Sequence, residues 1–198
     1  MTDRTADQDT SLDALIEENA KFARDQLLET GSLTPMYALK IGQTTLPIAA
    51  QLDDNDAKDR IVQLVRTLAT AFWPQSIAFM MESWFSDKFD ANGDPRYPRP
   101  SLDPDRREGV FIVIATPEQE VGRMYFITRD QAGNVADLVE GQHPTGQTGG
   151  RMSGLYPEQP PTRQQQRQAQ RQLESFLDKE MLEHFRQHAR RPASSARH

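Results

Sequence analysis

Glu82 follows a run that is otherwise apolar, Ile77-Ala78-Phe79-Met80-Met81, and stands two residues before Trp84. A carboxylate in such a setting must be paired, or it must hold its proton at a raised pKa. The functional reading is a general acid or base in a cleft below the Pro-rich stretch that follows. Arg106, Arg107 and Arg123 fall near the ends of neighbouring apolar runs and are the candidate partners. A small enzyme would use Glu82 with Arg106. A structural ion pair that pins the Pro-rich stretch accounts for the same residues and is the preferred reading, because such pairs also perturb pKa values.

A second set is Glu180, His184 and His188, spaced four apart on one helical face. Two histidines at that spacing can share a metal. The zinc-protease pattern, however, puts its glutamate between the histidines. Histidines among Arg186, Arg190 and Arg191 near a helix C-terminus are already favoured by the dipole. Asp90, Asn92, Gly93 and Asp94 imitate part of a calcium loop. Aligning Gly93 with the required glycine puts Lys88 and Arg99 at ligand positions, so an Asn-Gly turn is the better account.

Other chemistries are excluded by residue type. The chain has no cysteine, hence no disulfide, thiol nucleophile or cysteine-ligated metal. Its four histidines are His143, His184, His188 and His198, so the first 142 residues have no imidazole base. No serine lies in G-x-S-x-G, and no glycine loop sits between a strand and a helix as phosphate binding requires. Gly146 to Arg151 is glycine-rich but lies in a linker. No cofactor is implied.

The elements that must position these residues are read from periodicity. Leu12, Leu15, Ile16, Ala20, Ala23 and Leu27 recur at helical spacing, with Thr10 and Asp13 as a capping box and Gly31 as the stop. Leu33–Ile41 and Thr44–Leu52 alternate about Gly42-Gln43, which predicts a hairpin with a type II′ turn. Pro35 and Pro47 place part of it at a sheet edge. Asp53 to Asp56 start a second helix, with Ile61, Leu64, Val65, Leu68, Ala69 and Phe72 as its buried stripe and Pro74 as its stop. Ser76–Ser86 and Gly109–Thr116 are apolar on both faces and read as covered strands. Val121–Thr128 and Val135–Glu140 complete the sheet. Helices and strands are largely segregated, so the fold class is α+β: a mostly antiparallel sheet of five or six strands with one or two covering helices, plus a C-terminal amphipathic helix.

Nine of the 21 residues of 141–161 are Gly or Pro, which predicts a flexible linker. Residues 162–190 then read as one amphipathic helix. Arg163, Arg167 and Arg171 repeat at four-residue spacing amid glutamines. Leu173, Phe176, Leu177, Met181, Leu182 and Phe185 form a stripe roughly opposite. Its first half, Gln164–Gln172, is expected to stand in solvent or on a partner. Residues 1–9 and 191–198 are read as disordered ends of a domain spanning 10–140.

Of the 198 residues, 23 are basic and 29 acidic, a net charge of -6. The deficit is unevenly placed: residues 1–140 carry a net -10, and residues 141–198 a net +4. An acidic body repels nucleic acid and anionic membrane at long range. The longest apolar run in the body, Val110–Ala115, is far short of the roughly 20 residues of a membrane-spanning helix. The acidic, polar start of the chain does not read as a secretory signal, so a cytoplasmic protein is expected. The expected partner is a protein or a second copy, engaged through Arg163, Arg167, Arg171, Leu173, Phe176, Leu177, Met181 and Phe185. Nucleic acid is third after an enzyme, since no aromatic interleaves the arginines.

Glu82-Ser83-Trp84 and Pro100-Ser101-Leu102-Asp103-Pro104-Asp105-Arg106-Arg107-Glu108 together resemble a family of small bacterial and phage proteins with no assigned activity. That family is similar in carrying E-x-W at the end of one strand and P-S-x-x-P-D-R-x-E leading into the next. The resemblance covers roughly residues 10–140. It implies one neighbourhood for Glu82, Trp84, Asp105 and Arg106. Met81 stands where the family more often has serine, and Ser83 where it has alanine, which moves a hydroxyl to the other face of the strand.

Overall fold

A computed structural model describes residues 11–141 and 154–189, apart from 87, 89, 91, 93–95 and 98. The expectations for residues 1–9, 191–198 and most of the linker lie outside the described residues. The first helix, α1, is Leu12–Thr30. Ser11, not Thr10, caps it: its hydroxyl accepts the Ala14 N–H at 3.2 Å. Gly31 ends it at φ 80°, in the left-handed region that glycine enters without strain.

The hairpin strands β1 (Met36–Ile41) and β2 (Thr44–Ala49) meet at Gly42, the one positive-φ residue of the turn, as a type II′ loop requires. Helix α2 is Asn55–Phe72, with Asp54 accepting the Ala57 N–H at 2.6 Å. Trp73 caps it at φ 47°. A residue before proline is disfavoured in the helical region, and Pro74 follows. Then come β3 (Ser76–Phe85), a 3₁₀ turn at Pro100–Leu102, β4 (Arg107–Ala115), β5 (Glu120–Arg129) and β6 (Val135–Glu140). The six strands make one antiparallel sheet in the order β2-β1-β3-β4-β5-β6, so the fold is α+β. Pro47 lies in edge strand β2, where its missing N–H leaves no ladder bond unmade.

Both faces of the sheet are covered. On one face α1 lays Leu15, Ile16, Ala20, Ala23 and Leu27 over Met36, Met80, Val110, Ile112 and Tyr125. On the other, α2 packs Val65, Leu68 and Ala69 against Tyr37, Leu39, Ile77, Phe79 and Val113. Strand β1 is thus buried on both sides, not on one as its alternation suggested, because Met36 and Ala38 meet the first core.

From Gly154 to Ala189 the chain departs from the expected linker and single helix. Leu155 is 2% exposed and belongs to the α2 core. The Tyr156 hydroxyl donates to the Pro74 carbonyl at 2.9 Å, and its ring meets Trp73 edge-on. Arg66 donates to the Gly154 carbonyl at 3.2 Å. Two helices follow, α3 (Arg163–Leu173) and α4 (Lys179–Ala189). Thr162 and Gln165 form a full capping box at the start of α3. The polar half does not stand free: Ala169 is small enough to press α3 against α2, and Gln170 donates to the Ala71 carbonyl at 3.3 Å. Leu173, Leu182 and Phe185 enter the core. The turn at 174–178 lets α4 fold back, stacking Phe185 on Phe72.

Leu173 is fully buried. Leu173→Ala should therefore cost about 2–5 kcal/mol in a denaturant titration. Truncation after residue 141, which strips Leu155, Leu173, Leu182 and Phe185 from the α2 core, should abolish the cooperative thermal transition rather than leave a folded monomer.

Candidate functional site

The register of β3 on β4 sets Glu82 opposite Val110 and Trp84 opposite Glu108. Side chains alternate along a strand, so both glutamates lie on the α1 face as diagonal neighbours. Glu82 Oε2 accepts the Leu33 N–H at 3.0 Å, just beyond the end of α1. Glu108 is the acidic neighbour of Glu82 on this face and lies within its hydrogen-bonding reach. Burial holds the Glu82 pKa above its ordinary 4.5. The bond to Glu108 and the charge of that group add to the rise, while the Leu33 N–H and Arg129 oppose it. Arg129 closes the other side, with its guanidinium nitrogens 2.7 and 2.8 Å from Glu108 Oε2.

None of the three arginines expected beside Glu82 is its partner. The Arg106 guanidinium lies over the Trp84 ring, 4.7 Å from the centroid, and donates to the Asp103 carbonyl. Arg107 falls on the opposite face, since β4 alternates, and stacks 3.3 Å from the Phe126 centroid. Arg123 shares the α1 face but pairs in register with Ile112, nearer the start of α1, between Asp13 and Glu140. The Glu82–Arg106 catalytic pair is not formed.

The loop between β3 and β4 is held by a residue that sequence reasoning missed. Asp103 is fully buried. It accepts the Ser86 hydroxyl at 2.5 Å and the Asp105 N–H at 2.9 Å, with the Lys88 ammonium at 3.4 Å. These groups, the Ser86 hydroxyl foremost, hold its carboxyl below the usual aspartate range. Lys88 also pairs with Asp105. The available signal was Asp-Pro-Asp: an aspartate two residues before a free N–H is the Asx-turn arrangement. Asp90 makes the analogous bond to the Asn92 N–H at 2.8 Å, while Gly93 and Asp94 lie outside the described residues.

On α4 the His184 and His188 rings come within 4.6 Å, and His188 Nδ1 is 3.1 Å from the Thr44 hydroxyl. Among the described residues no group of three or more His, Asp or Glu is placed to hold a metal, so Glu180 does not complete a set with them.

The eight residues assigned to a partner separate into two groups. Leu173 and Phe185 are buried in the chain's own core, and Leu177 is half-buried against it. Phe176 and Met181 remain exposed at the α3–α4 corner. Arg163, Arg167 and Arg171 are exposed on the side of α3 opposite buried Ala169 and Leu173, and none has an ion-pair partner among the described residues. An open groove of about 270 Å³ between α2 and α3 is lined by Gln63, Arg66, Thr70, Gln165, Gln168 and Gln172 among others.

Among the described residues no helix is long and apolar enough to cross a membrane. Compared with known protein families, curated proteins and solved structures, the chain matches none.

A carboxyl whose folded pKa is raised stabilises the fold at low pH and loses that contribution as pH climbs through the folded value. Glu82→Gln keeps an acceptor for Leu33 and a donor for Glu108 at every pH. Its stability relative to the parent should therefore rise from pH 4 to pH 7, as read by paired denaturant titrations; a flat difference would refute a raised Glu82 pKa. Asp103→Ala should bring earlier proteolytic nicking between Ser86 and Arg107, visible by mass spectrometry, with little change at other sites.

Proposed function

We propose that this is a non-catalytic, cytoplasmic interaction protein whose C-terminal helical pair meets an acidic protein surface. The carrying observation is the outer face of α3. Three arginines one turn apart stand in solvent without counter-charges among the described residues. Exposed arginines forming a row without partners are matched by a surface of opposite sign. Because Leu173 and Phe185 are committed to the chain's own core, recognition through this element rests on charge, with Phe176 and Met181 as an apolar margin. The groove along α2, lined by amides, hydroxyls and Arg66, extends the polar face.

Two features favour a protein partner over nucleic acid. The arginines have no interleaved aromatic on which a base could stack, and the body that carries them is strongly acidic. An enzyme working through Glu82 and Arg106 has lost its pair, since Arg106 is engaged on Trp84. The resemblance to the bacterial and phage family assigns no activity that would argue otherwise.

The test is a titration of the full chain with an oligoglutamate peptide and, separately, with a single-stranded oligonucleotide of equal charge, followed by amide chemical shifts. The peptide should perturb α3 and the α3–α4 corner, and Arg163→Glu/Arg167→Glu/Arg171→Glu should abolish the effect. Perturbation of α3 by the oligonucleotide alone would overturn the reading.

A further inference from the structure

The outermost ridge of α1 is the complement of the α3 row. Glu18, Phe22, Asp25 and Glu29 recur at spacings of four, three and four, on the side of α1 directly away from buried Ala20, Ala23 and Leu27. All four are exposed, and Phe22 retains 45% of its surface in water amid these acids. Lys21 pairs with Asp25, while Glu18 and Glu29 have no ion-pair partner among the described residues. With a rise of about 1.5 Å per residue, Arg163 to Arg171 spans about 12 Å and Glu18 to Glu29 about 16 Å. The acidic row is therefore opposite in sign and long enough to face all three arginines.

Helix α1 covers one face of the sheet, and α3 joins the layer on the other. The two ridges point away from each other across the sheet and cannot meet within one molecule. We infer that α3 of one copy docks on α1 of the next, with Arg163 and Arg171 against the α1 carboxylates and Arg167 over the Phe22 ring. An arginine placed so covers the ring with its guanidinium and aliphatic stem while its neighbours neutralise the acids. The contact is heterologous: each copy offers one face of each kind, so association proceeds head to tail. This inference rests on the proposed use of the α3 arginine face and names its occupant as a second copy.

Sedimentation velocity on the full chain tests it across a concentration series. Exposed charges interact over about 30 Å at 0.01 M salt and about 3 Å at 1 M. The weight-average mass should rise with concentration above the 22.5 kDa of one chain in the dilute salt and return to it in the concentrated salt. Arg163→Glu/Arg167→Glu/Arg171→Glu and Glu18→Arg/Asp25→Arg/Glu29→Arg should each be monomeric alone, with parental thermal transitions because all six positions are exposed. Mixed, they should associate again, since each then offers the other a complementary face. A parent that is monomeric in dilute salt at every concentration, or a mixture that stays monomeric, overturns the self-association. If α3 still responds to oligoglutamate, only the identity of the occupant has failed.

Discussion

Phe79 and Met80 are adjacent in β3, and both are almost completely buried. Neighbouring residues of a strand point to opposite sides of the sheet, so neither side can face water. That constraint governs the rest of the molecule. One helical layer is not enough; α1 covers the Met80 side, and the Phe79 side needs α2 together with whatever completes its roof. The residues that complete it are Leu155, Ala169, Leu173, Leu182 and Phe185, all from the chain that follows β6. What looks by composition like an appendage is the closing wall of a core.

Much of this architecture was legible in local pattern. Gly31, Gly42-Gln43 and the Asp53–Asp56 run each name a specific backbone need, and each marks a boundary. Runs apolar at successive positions, as in β3 and β4, identified the doubly covered strands. The fate of the tail was not legible, because its polar half carries only Ala169 and Leu173 as apolar anchors. Their burial depends on the presence of α2 opposite, which periodicity in the tail does not encode. The two-sided burial of β1 was hidden for a related reason: Ala38 and Met36 read as modest residues until α1 lies over them.

The carboxyl chemistry was half legible. An acid in an apolar strand correctly implied a perturbed pKa at Glu82, but the nearest cations in sequence were the wrong ones. Strand alternation sends Arg107 to the far face, and the attraction between a guanidinium and an indole engages Arg106. The acid was left beside Glu108, whose charge adds to the effect of burial in raising the Glu82 pKa. Asp103 shows the reverse: its buried role is set by a two-residue turn and a serine 17 positions away, neither of which stands out in composition.

The closing wall has a consequence for the order in which the molecule is made. Synthesis runs from the N-terminus, and β1–β6 emerge before the residues that cover Tyr37, Leu39, Ile77 and Phe79. At about 5–20 residues per second, the stretch from Gly141 to Ala189 takes roughly 2 to 10 seconds to follow. Throughout that interval the nascent sheet has α1 on one side and only α2 on the other. The interval is a window for chaperone engagement, or for mispairing between chains on neighbouring ribosomes. It closes only when Leu173 and Phe185 arrive, which puts the decisive step of folding after the whole sheet has been made rather than within it.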